Sequence, residues 1–153
     1  DLLFIARRMV ILASEDIGLA NPNAMLLANA CFESVNKIGM PESRIILSET
    51  AIYLATSPKS NSAYLAINAA LREVENGANC PVPLHLRNAP TALMKELGYS
   101  DNYKYAHDYN NNFVEQEFLP ESLEGRRFYE PGENKHESEI RKRLTSQWKK
   151  YNY

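Results

Sequence analysis

The sequence predicts an all-α fold, and three observations support this prediction. Apolar residues recur at steps of three and four along much of the chain, which is the spacing of one face of an α-helix. Proline or a polar capping residue precedes several of these runs, and glycine follows several of them. No segment of the sequence is identified as a β-strand. We therefore expect a helical bundle or layer whose helices are joined by short links.

The first two helices are expected over residues 2–14 and 22–37. In the first, most of the apolar residues lie on one side. For the second, Asn21 is the expected N-cap and Pro22 the first helical residue, because proline has no N–H to leave unsatisfied there. Gly39 should end this helix, since glycine accepts the left-handed backbone that follows many helices.

Residues 41–76 form the most periodic part of the chain and predict two further helices. Pro58 disfavours helical backbone at Ser57, so the third helix should end there. The side chain of Ser60 or Asn61 can then cap the fourth helix. We expect an antiparallel hairpin whose apolar stripes face one core. The periodic residues are Ile45, Ile46, Glu49, Ile52 and Tyr53 before the joint, and Tyr64, Ile67, Leu71 and Val74 after it.

The character of the sequence changes at Gly77, after which prolines argue against a long helix. We expect residues 77–132 to be an ordered but irregular segment, rich in tyrosine and asparagine, with one short helix over 91–97. Thr91 should cap this helix and Gly98 should end it. Disordered segments are poor in aromatic residues, so this composition favours order. A last helix is expected over 133–150, lying on the outside of the body or on a partner. Its narrow apolar stripe consists of Ile140, Leu144 and Trp148.

Length and composition predict a single domain, residues 1–153, with a helical core over residues 1–76. The hydrophobic fraction is 44%, the charged fraction is 24%, and the net charge is -2. These values are ordinary for a globular protein and give no global argument for binding nucleic acid or membranes. The sequence contains no signal peptide and no bilayer-spanning apolar run, so a cytoplasmic location is expected. The chain starts inside an apolar helical pattern, which favours a fragment of a longer protein.

The sequence contains no catalytic motif, so we expect no enzyme activity and no metal or cofactor in this chain. The histidines lack the paired spacings of zinc sites, and ordinary hydrogen-bonded histidines are expected. No G-x-S-x-G elbow is present, and Pro58-Lys59-Ser60 lacks the glycines of a phosphate-binding loop. A small hydrolase that uses His85, or His107 with Asp108, would still lack a nucleophile.

Several basic residues are candidates for contact with phosphate groups. Lys59 lies next to the expected start of a helix, where free N–H groups favour anions. Lys104 lies among Tyr99, Tyr103, Tyr105 and Tyr109, which either stack on the bases of single-stranded nucleic acid or fill a core. The basic face of the last helix is either solvated or a phosphate contact. The candidate DNA or phosphate contacts are Lys59, Arg87, Lys104, Arg141, Lys142 and Arg143.

A series of motifs, in this order along almost the whole chain, resembles the RarA/MgsA family of replication-associated recombination AAA+ ATPases. The eukaryotic Werner-helicase-interacting protein belongs to the same family. The motifs are Ala6-Arg7-Arg8-Met9, Ser14-Glu15-Asp16-Ile17-Gly18-Leu19-Ala20, Ile38-Gly39-Met40-Pro41-Glu42, Tyr53-Leu54-Ala55, Pro58-Lys59-Ser60-Asn61, Val82-Pro83-Leu84-His85-Leu86-Arg87, Leu97-Gly98-Tyr99, Tyr103-Lys104-Tyr105 and Phe128-Tyr129-Glu130-Pro131.

The resemblance implies that the chain is similar to the C-terminal domain of this family, which is related to the oligomerisation collar of clamp-loader subunits. The Walker motifs that bind ATP and Mg lie upstream in the family and are absent here. Full-length members are DNA-dependent ATPases that act at stalled replication forks, in recombination and repair, and form homotetramers through this part. We therefore expect a homotetramerisation domain of a nucleoid-associated protein, with DNA and single-strand-binding protein as candidate partners of the whole protein.

The alternative function is a DNA-binding helical module that contacts phosphates through Lys59, Arg87, Lys104 and the basic last helix. The charged residues of the opening motif could instead form ion pairs within the chain or between subunits, and the sequence does not distinguish these. Lys59, Ser60 and Asn61, which follow the third helix, are expected to form a structural joint. A phosphate contact is the second interpretation of these residues. The candidate structural or interface residues are Arg7, Arg8, Glu15, Asp16, Pro58, Ser60, Asn61 and His85.

Overall fold

The computed structural model describes residues 1–77 and 79–153, which form six α-helices and no strand. The predicted all-α fold class is confirmed. Within these residues, no helix is long and apolar enough to cross a membrane. Residue 78, inside the predicted irregular segment, lies outside the described residues. Contacts divide the chain into a first unit, residues 1–68 and 128–142, and a second unit, residues 69–127 and 143–153.

Three long helices build the first unit: α1, Leu2–Leu12, α2, Asn23–Ile38, and α3, Ser43–Thr56. Each of these helices packs against the other two. A π-helical turn, Ala13–Ile17, continues α1, and a 3₁₀ turn, Gly18–Ala20, follows it. The core contains mainly small residues, which let the helix backbones approach closely. Its buried members are Ala13, Ile17, Ala24, Ala28 and Leu54.

Two of the helix ends predicted from local signals are confirmed. Gly39 follows α2 with a φ of +73°, the left-handed backbone that glycine accepts without a steric penalty. Ser57, which precedes Pro58, is extended with a ψ of 143°, so α3 ends at Thr56. Proline and glycine act through the backbone of their immediate neighbours, and packing elsewhere did not override them.

The predicted capping role of Asn21 is wrong. The residue before α2 is Pro22, and it makes no side-chain cap. The Asn21 side chain instead donates to the Tyr53 hydroxyl and to Ser57 Oγ, both at 3.0 Å. The side chain of Asn21 therefore ties the start of α2 to the end of α3, and only its backbone oxygen accepts from Ala24 N.

The prediction that the apolar stripes of α3 and α4 face one core is also wrong. Helix α4 extends over Ser62–Glu75. The buried face of α3 contains Ser43, Thr50 and Leu54. The periodic apolar side chains that are exposed instead are Ile45, Ile52, Tyr64, Ile67, Leu71 and Val74. Periodicity identified an apolar face but not whether the chain itself covers that face.

The second unit contains the short helix α5, Ala92–Glu96, among 3₁₀ turns. Thr91 Oγ1 accepts from the Met94 N–H at 3.3 Å, so the predicted cap is confirmed. The Trp148 ring makes edge-to-face contacts with Phe113, Phe118 and Tyr151, with centroids 5.1 to 5.9 Å apart. This aromatic cluster packs the irregular segment. The predicted tyrosines contribute little to it, because Tyr103, Tyr105 and Tyr109 are exposed.

The last helix, α6, extends over Lys135–Gln147 and is followed by a 3₁₀ turn, Lys149–Tyr151. It is shorter than the predicted 133–150. The three residues of its predicted apolar stripe are each half-buried, while most of its other residues are exposed. The prediction of a single domain over the whole chain stays a prediction.

Candidate functional site

The joint between α3 and α4 contacts the opening motif of the chain. The Ser60 N–H donates to the Asp16 carbonyl oxygen at 2.8 Å. Gly18 lies against the same residue with a φ of +49°, and a Cβ on it would come within 2.7 Å of the Ser60 carbonyl oxygen. Only glycine combines that backbone with that closeness. Two segments that are far apart in sequence therefore fix each other, as the structural role predicted for Ser60 requires.

A buried carboxylate on α6, Glu137, forms the second anchor of this joint. It is 0% exposed. Ser62 Oγ donates to its Oε1 at 2.5 Å, and the Tyr129 hydroxyl donates to the same oxygen at 2.9 Å. Asn134 Nδ2 donates to Oε2 at 2.5 Å, and Asn134 Oδ1 accepts from the Glu137 N–H at 3.0 Å. A Cβ on Gly132 would lie 2.7 Å from Oε2, so the carboxylate fills the space beside that glycine.

The surroundings of Glu137 keep it charged. Burial by itself raises the pKa of a carboxyl group, but hydrogen bonds donated by Ser60, Ser62, Asn134 and the backbone outweigh it and lower the pKa of Glu137 from 4.5 to about 2. Burial, and then the hydrogen bond to this negative charge, raise the pKa of Tyr129 well above its usual value. The tyrosine hydroxyl therefore remains protonated and keeps donating.

Sequence reasoning missed Glu137 because a glutamate on a highly charged helix usually faces water. One of its partners, Ser62 at the joint, also lies 75 residues away in the sequence. One signal was present: Glu137 lies three residues before Ile140 and therefore on the same face of α6. Asn61, the other capping candidate, is exposed, and Pro58 is exposed beside it.

The charged residues of the opening motif form no ion pair within the part of the chain that the structure describes. Arg7, Arg8, Glu15 and Asp16 are all exposed. Of these, Asp16 takes part in the joint, but through its backbone oxygen and not its carboxylate. Ion pairs between subunits stay a prediction for these residues.

Arg87 and Arg141, two of the predicted phosphate contacts, are engaged within their own units. Arg87 Nε donates to the Val82 oxygen at 2.6 Å, and its guanidinium lies 5.2 Å from the centroid of the Tyr99 ring. Arg141 Nη2 donates to the Pro131 carbonyl oxygen. Both guanidinium groups therefore stabilise local structure, which leaves them less free to bind phosphate.

The other predicted phosphate contacts lie on the surface. Lys142 pairs with Glu139 at 2.7 Å, and Arg143 Nε donates to Gln147 Oε1 at 3.4 Å. Lys104 Nζ donates to the Glu115 carbonyl oxygen at 3.4 Å. Lys59 is exposed at the start of α4 and has no side-chain partner among the described residues. The role of Lys59 as an anion contact stays a prediction.

His85 is an ordinary hydrogen-bonded histidine, as the sequence predicts, because its Nε2 lies 2.8 Å from the Glu117 carbonyl oxygen. The Glu117 carboxylate accepts from Lys150 and Tyr151. Burial raises the pKa of Glu117, but the hydrogen bonds from Lys150, Leu119 N–H and Tyr151 outweigh it and lower the pKa to about 2. The hydrogen bond to Glu117 in turn raises the pKa of Lys150 to about 12. The positive charge of Lys150 is thus balanced by Glu117 inside the second unit.

Large apolar side chains of the first unit face solvent on all three of its packed helices. The exposed fraction is 57% for Phe4 on α1, 70% for Leu26 on α2 and 63% for Ile52 on α3. An apolar depression of about 350 Å³ opens between α1 and α2, where Val10, Ile11 and Phe32 line it. Such surfaces on a chain of this size are typical of protein interfaces. No cluster of metal-binding side chains occurs among the residues that the structure describes.

The family model described as MgsA AAA+ ATPase C terminal matches residues 1–148 of the chain. This match covers the joint, the buried glutamate and all the apolar faces described above.

Curated relatives agree with the family match. Replication-associated recombination protein A of Coxiella burnetii is 46% identical over 145 residues, which are 94% of this chain and 33% of that protein. The Bacillus subtilis protein of the same name is 44% identical over 131 residues, 86% of this chain and 31% of its own length. ATPase WRNIP1 of Dictyostelium discoideum is 43% identical over 129 residues, 84% of this chain and 15% of its own length. The chain thus spans a third or less of these relatives.

Proposed function

The chain belongs to the family of MgsA AAA+ ATPase C-terminal domains, and from this premise we propose that it is the homotetramerisation domain of a DNA-dependent AAA+ ATPase. The whole protein would act in replication-fork maintenance, recombination and DNA repair, in keeping with the name that its bacterial relatives carry. In this proposal the chain has no catalytic role of its own. ATP and Mg bind in an ATPase core outside this chain.

The observation that carries the proposal is the set of exposed apolar side chains on α1, α2 and α3. Fully burying a side chain such as Leu26 or Ile52 contributes roughly 1.5–3 kcal/mol, so several such residues can stabilise an assembly. Their helices are already held rigid by the core and by the joint at Ser60. Little further conformational freedom would therefore be lost on association.

The wider partners of the whole protein follow from the same premise. DNA and single-strand-binding protein are the candidate partners, and the site of action is the nucleoid in the cytoplasm. Direct contact between DNA and this chain is the alternative, with Lys59 as its best remaining residue, since Arg87 and Arg141 are engaged within the fold.

The experiment is the solution mass of the chain by light scattering, at low and at high salt. We expect a mass near four times 17.4 kDa that survives high salt, because apolar contacts are not weakened by screening. A monomer under both conditions would overturn the proposal. Anisotropy of a labelled DNA oligonucleotide tests the alternative, for which binding should fall steeply as salt rises.

A further inference from the structure

We propose that two copies of this chain pair through the exposed face of α3, with the two α3 helices parallel about a two-fold axis. The inference rests on the self-assembly proposed above and identifies one surface that would carry it. This surface, here called the α3 seam, consists of Arg44, Ile45, Ser48, Glu49, Ile52 and Ala55.

The α3 seam has the spacing of a coiled-coil contact. Ile45, Ser48, Ile52 and Ala55 recur at alternating steps of three and four, which are the a and d positions of a heptad. All four are exposed, and Ile45 and Ile52 are 61% and 63% exposed. An open depression of about 630 Å³ lies along this face and is bounded by Arg44, Ile45, Ser48, Glu49 and Ile52. The opposite face of α3 is buried in the first unit, so the helix cannot turn its isoleucines inward.

The charges beside the seam determine the direction of pairing. At about 100° per residue, Arg44 and Glu49 lie on opposite flanks of the line through Ile45 and Ile52. In a parallel pair, a two-fold axis brings each flank against the opposite flank of the second copy, so Arg44 of each chain faces Glu49 of the other. In an antiparallel pair, like flanks would meet and place arginine near arginine. Neither Arg44 nor Glu49 has an ion-pair partner within the described chain, so both are available.

The size of the seam also predicts how it would be used. A stable protein interface buries on the order of 800 Å² per partner, and one helix of this length supplies less than that. A two-fold contact through the α3 seam joins only two chains. A second contact is needed to reach four chains and to add the remaining buried area. The exposed apolar side chains of α1 and α2 remain free for that second contact.

Cysteine crosslinking tests the contact and its direction. We would make Ile45→Cys and Ile52→Cys separately in a Cys80→Ser background, because Cys80 is exposed whereas Cys31 is buried. In a parallel pair each new cysteine faces its own copy, so both variants should form covalent dimers under mild oxidation. Glu133→Cys, at an exposed position just before α6, is the control and should form few. An antiparallel pair would link only a mixture of the two variants, which would overturn the proposed direction.

Charge reversal gives an independent readout by light scattering. We expect Arg44→Glu and Glu49→Arg each to weaken dimer formation roughly 3- to 10-fold, and the double variant to restore it. If the unaltered chain is monomeric, the proposed function itself fails. If it assembles, but neither crosslinks nor responds to these reversals, the α3 seam is wrong while self-assembly stands.

Discussion

At Glu137 the cost of burying a charge is offset by the hydrogen bonds that its carboxylate accepts. Donors reach it from Ser62 before the long irregular segment, and from Tyr129 and Asn134 after it. Replacing Ser62 by alanine would leave a buried charge with one donor fewer, which is more costly than a missing neutral hydrogen bond. The carboxylate thus joins the α4 start to the α6 start within the first unit.

Glu137→Gln should destabilise the chain at neutral pH and lose this effect in acid. The folded pKa of about 2 lies below the unfolded value of 4.5, so the charge stabilises the fold above about pH 5. This stabilisation is lost as the pH falls through 4.5 toward 2. We expect a loss of roughly 1–3 kcal/mol in the free energy of unfolding at pH 7. Denaturant titrations of both chains at several pH values measure the difference.

The control for this prediction is Glu133→Gln, which removes the same charge from an exposed residue just before α6. It should change the free energy of unfolding little at any pH. A difference between Glu137→Gln and the unaltered chain that stayed constant from pH 7 down to pH 2.5 would contradict the assigned charge.

Gly18→Ala should destabilise the chain more than Gly39→Ala. Both glycines combine a positive φ, +49° and +73°, with a ψ of -130° and -167°. Residues other than glycine rarely adopt such backbone, so alanine costs on the order of 1–3 kcal/mol at either position. Only at Gly18 would the new Cβ also press against the Ser60 carbonyl oxygen, because nothing lies within 4 Å of Gly39. We expect the first variant to lose at least about 1 kcal/mol more than the second. If thermal or denaturant unfolding gave equal losses in the free energy of unfolding, the contact between Gly18 and Ser60 would not be the tight one described here.

At the scale of elements, the second unit depends on one aromatic cluster and offers its own probe. Trp148 is the single tryptophan of the chain, so its emission reports on this unit. Phe113→Leu removes an edge-to-face contact with centroids 5.1 Å apart, and we expect a loss of about 1 kcal/mol by Trp148 fluorescence. Tyr103→Leu, at an exposed ring of the second unit that lies outside the cluster, is the control. Identical unfolding curves for Phe113→Leu and the unaltered chain would contradict the packing role.

Elements governed by near neighbours were the ones predicted correctly from the sequence. Ser57-Pro58 ended α3, Gly39 ended α2, and Thr91 capped α5, since each acts on backbone within four residues. Asn21 carried an equally good local signal but bonds to Tyr53, a partner that local rules cannot see. The buried role of Glu137 was not predicted for the same reason, because its environment exists only after the fold has formed. The family resemblance supplied what periodicity could not, namely the class of protein.

For the whole molecule, the apolar faces explain why the core prediction failed at α3. Ile45 and Ile52 have the spacing of core residues, and a buried face and an interface face have the same pattern in one sequence. A chain with such faces gains stability from association, so its unfolding midpoint should depend on concentration. Thermal unfolding over a hundredfold range of chain concentration checks this, and a constant midpoint would argue for a monomer.

Ile52→Asp should weaken this concentration dependence without damaging the isolated chain. The side chain is 63% exposed in a single copy, so aspartate there remains solvated in the monomer. In the α3 seam it would be buried without a partner, which is costly. We expect an unchanged circular dichroism spectrum, an unchanged midpoint in dilute solution and a lower midpoint in concentrated solution. His136→Asp, which adds the same charge at an exposed position of α6, should leave the concentration dependence intact, and equal behaviour of the two variants would place the contact elsewhere.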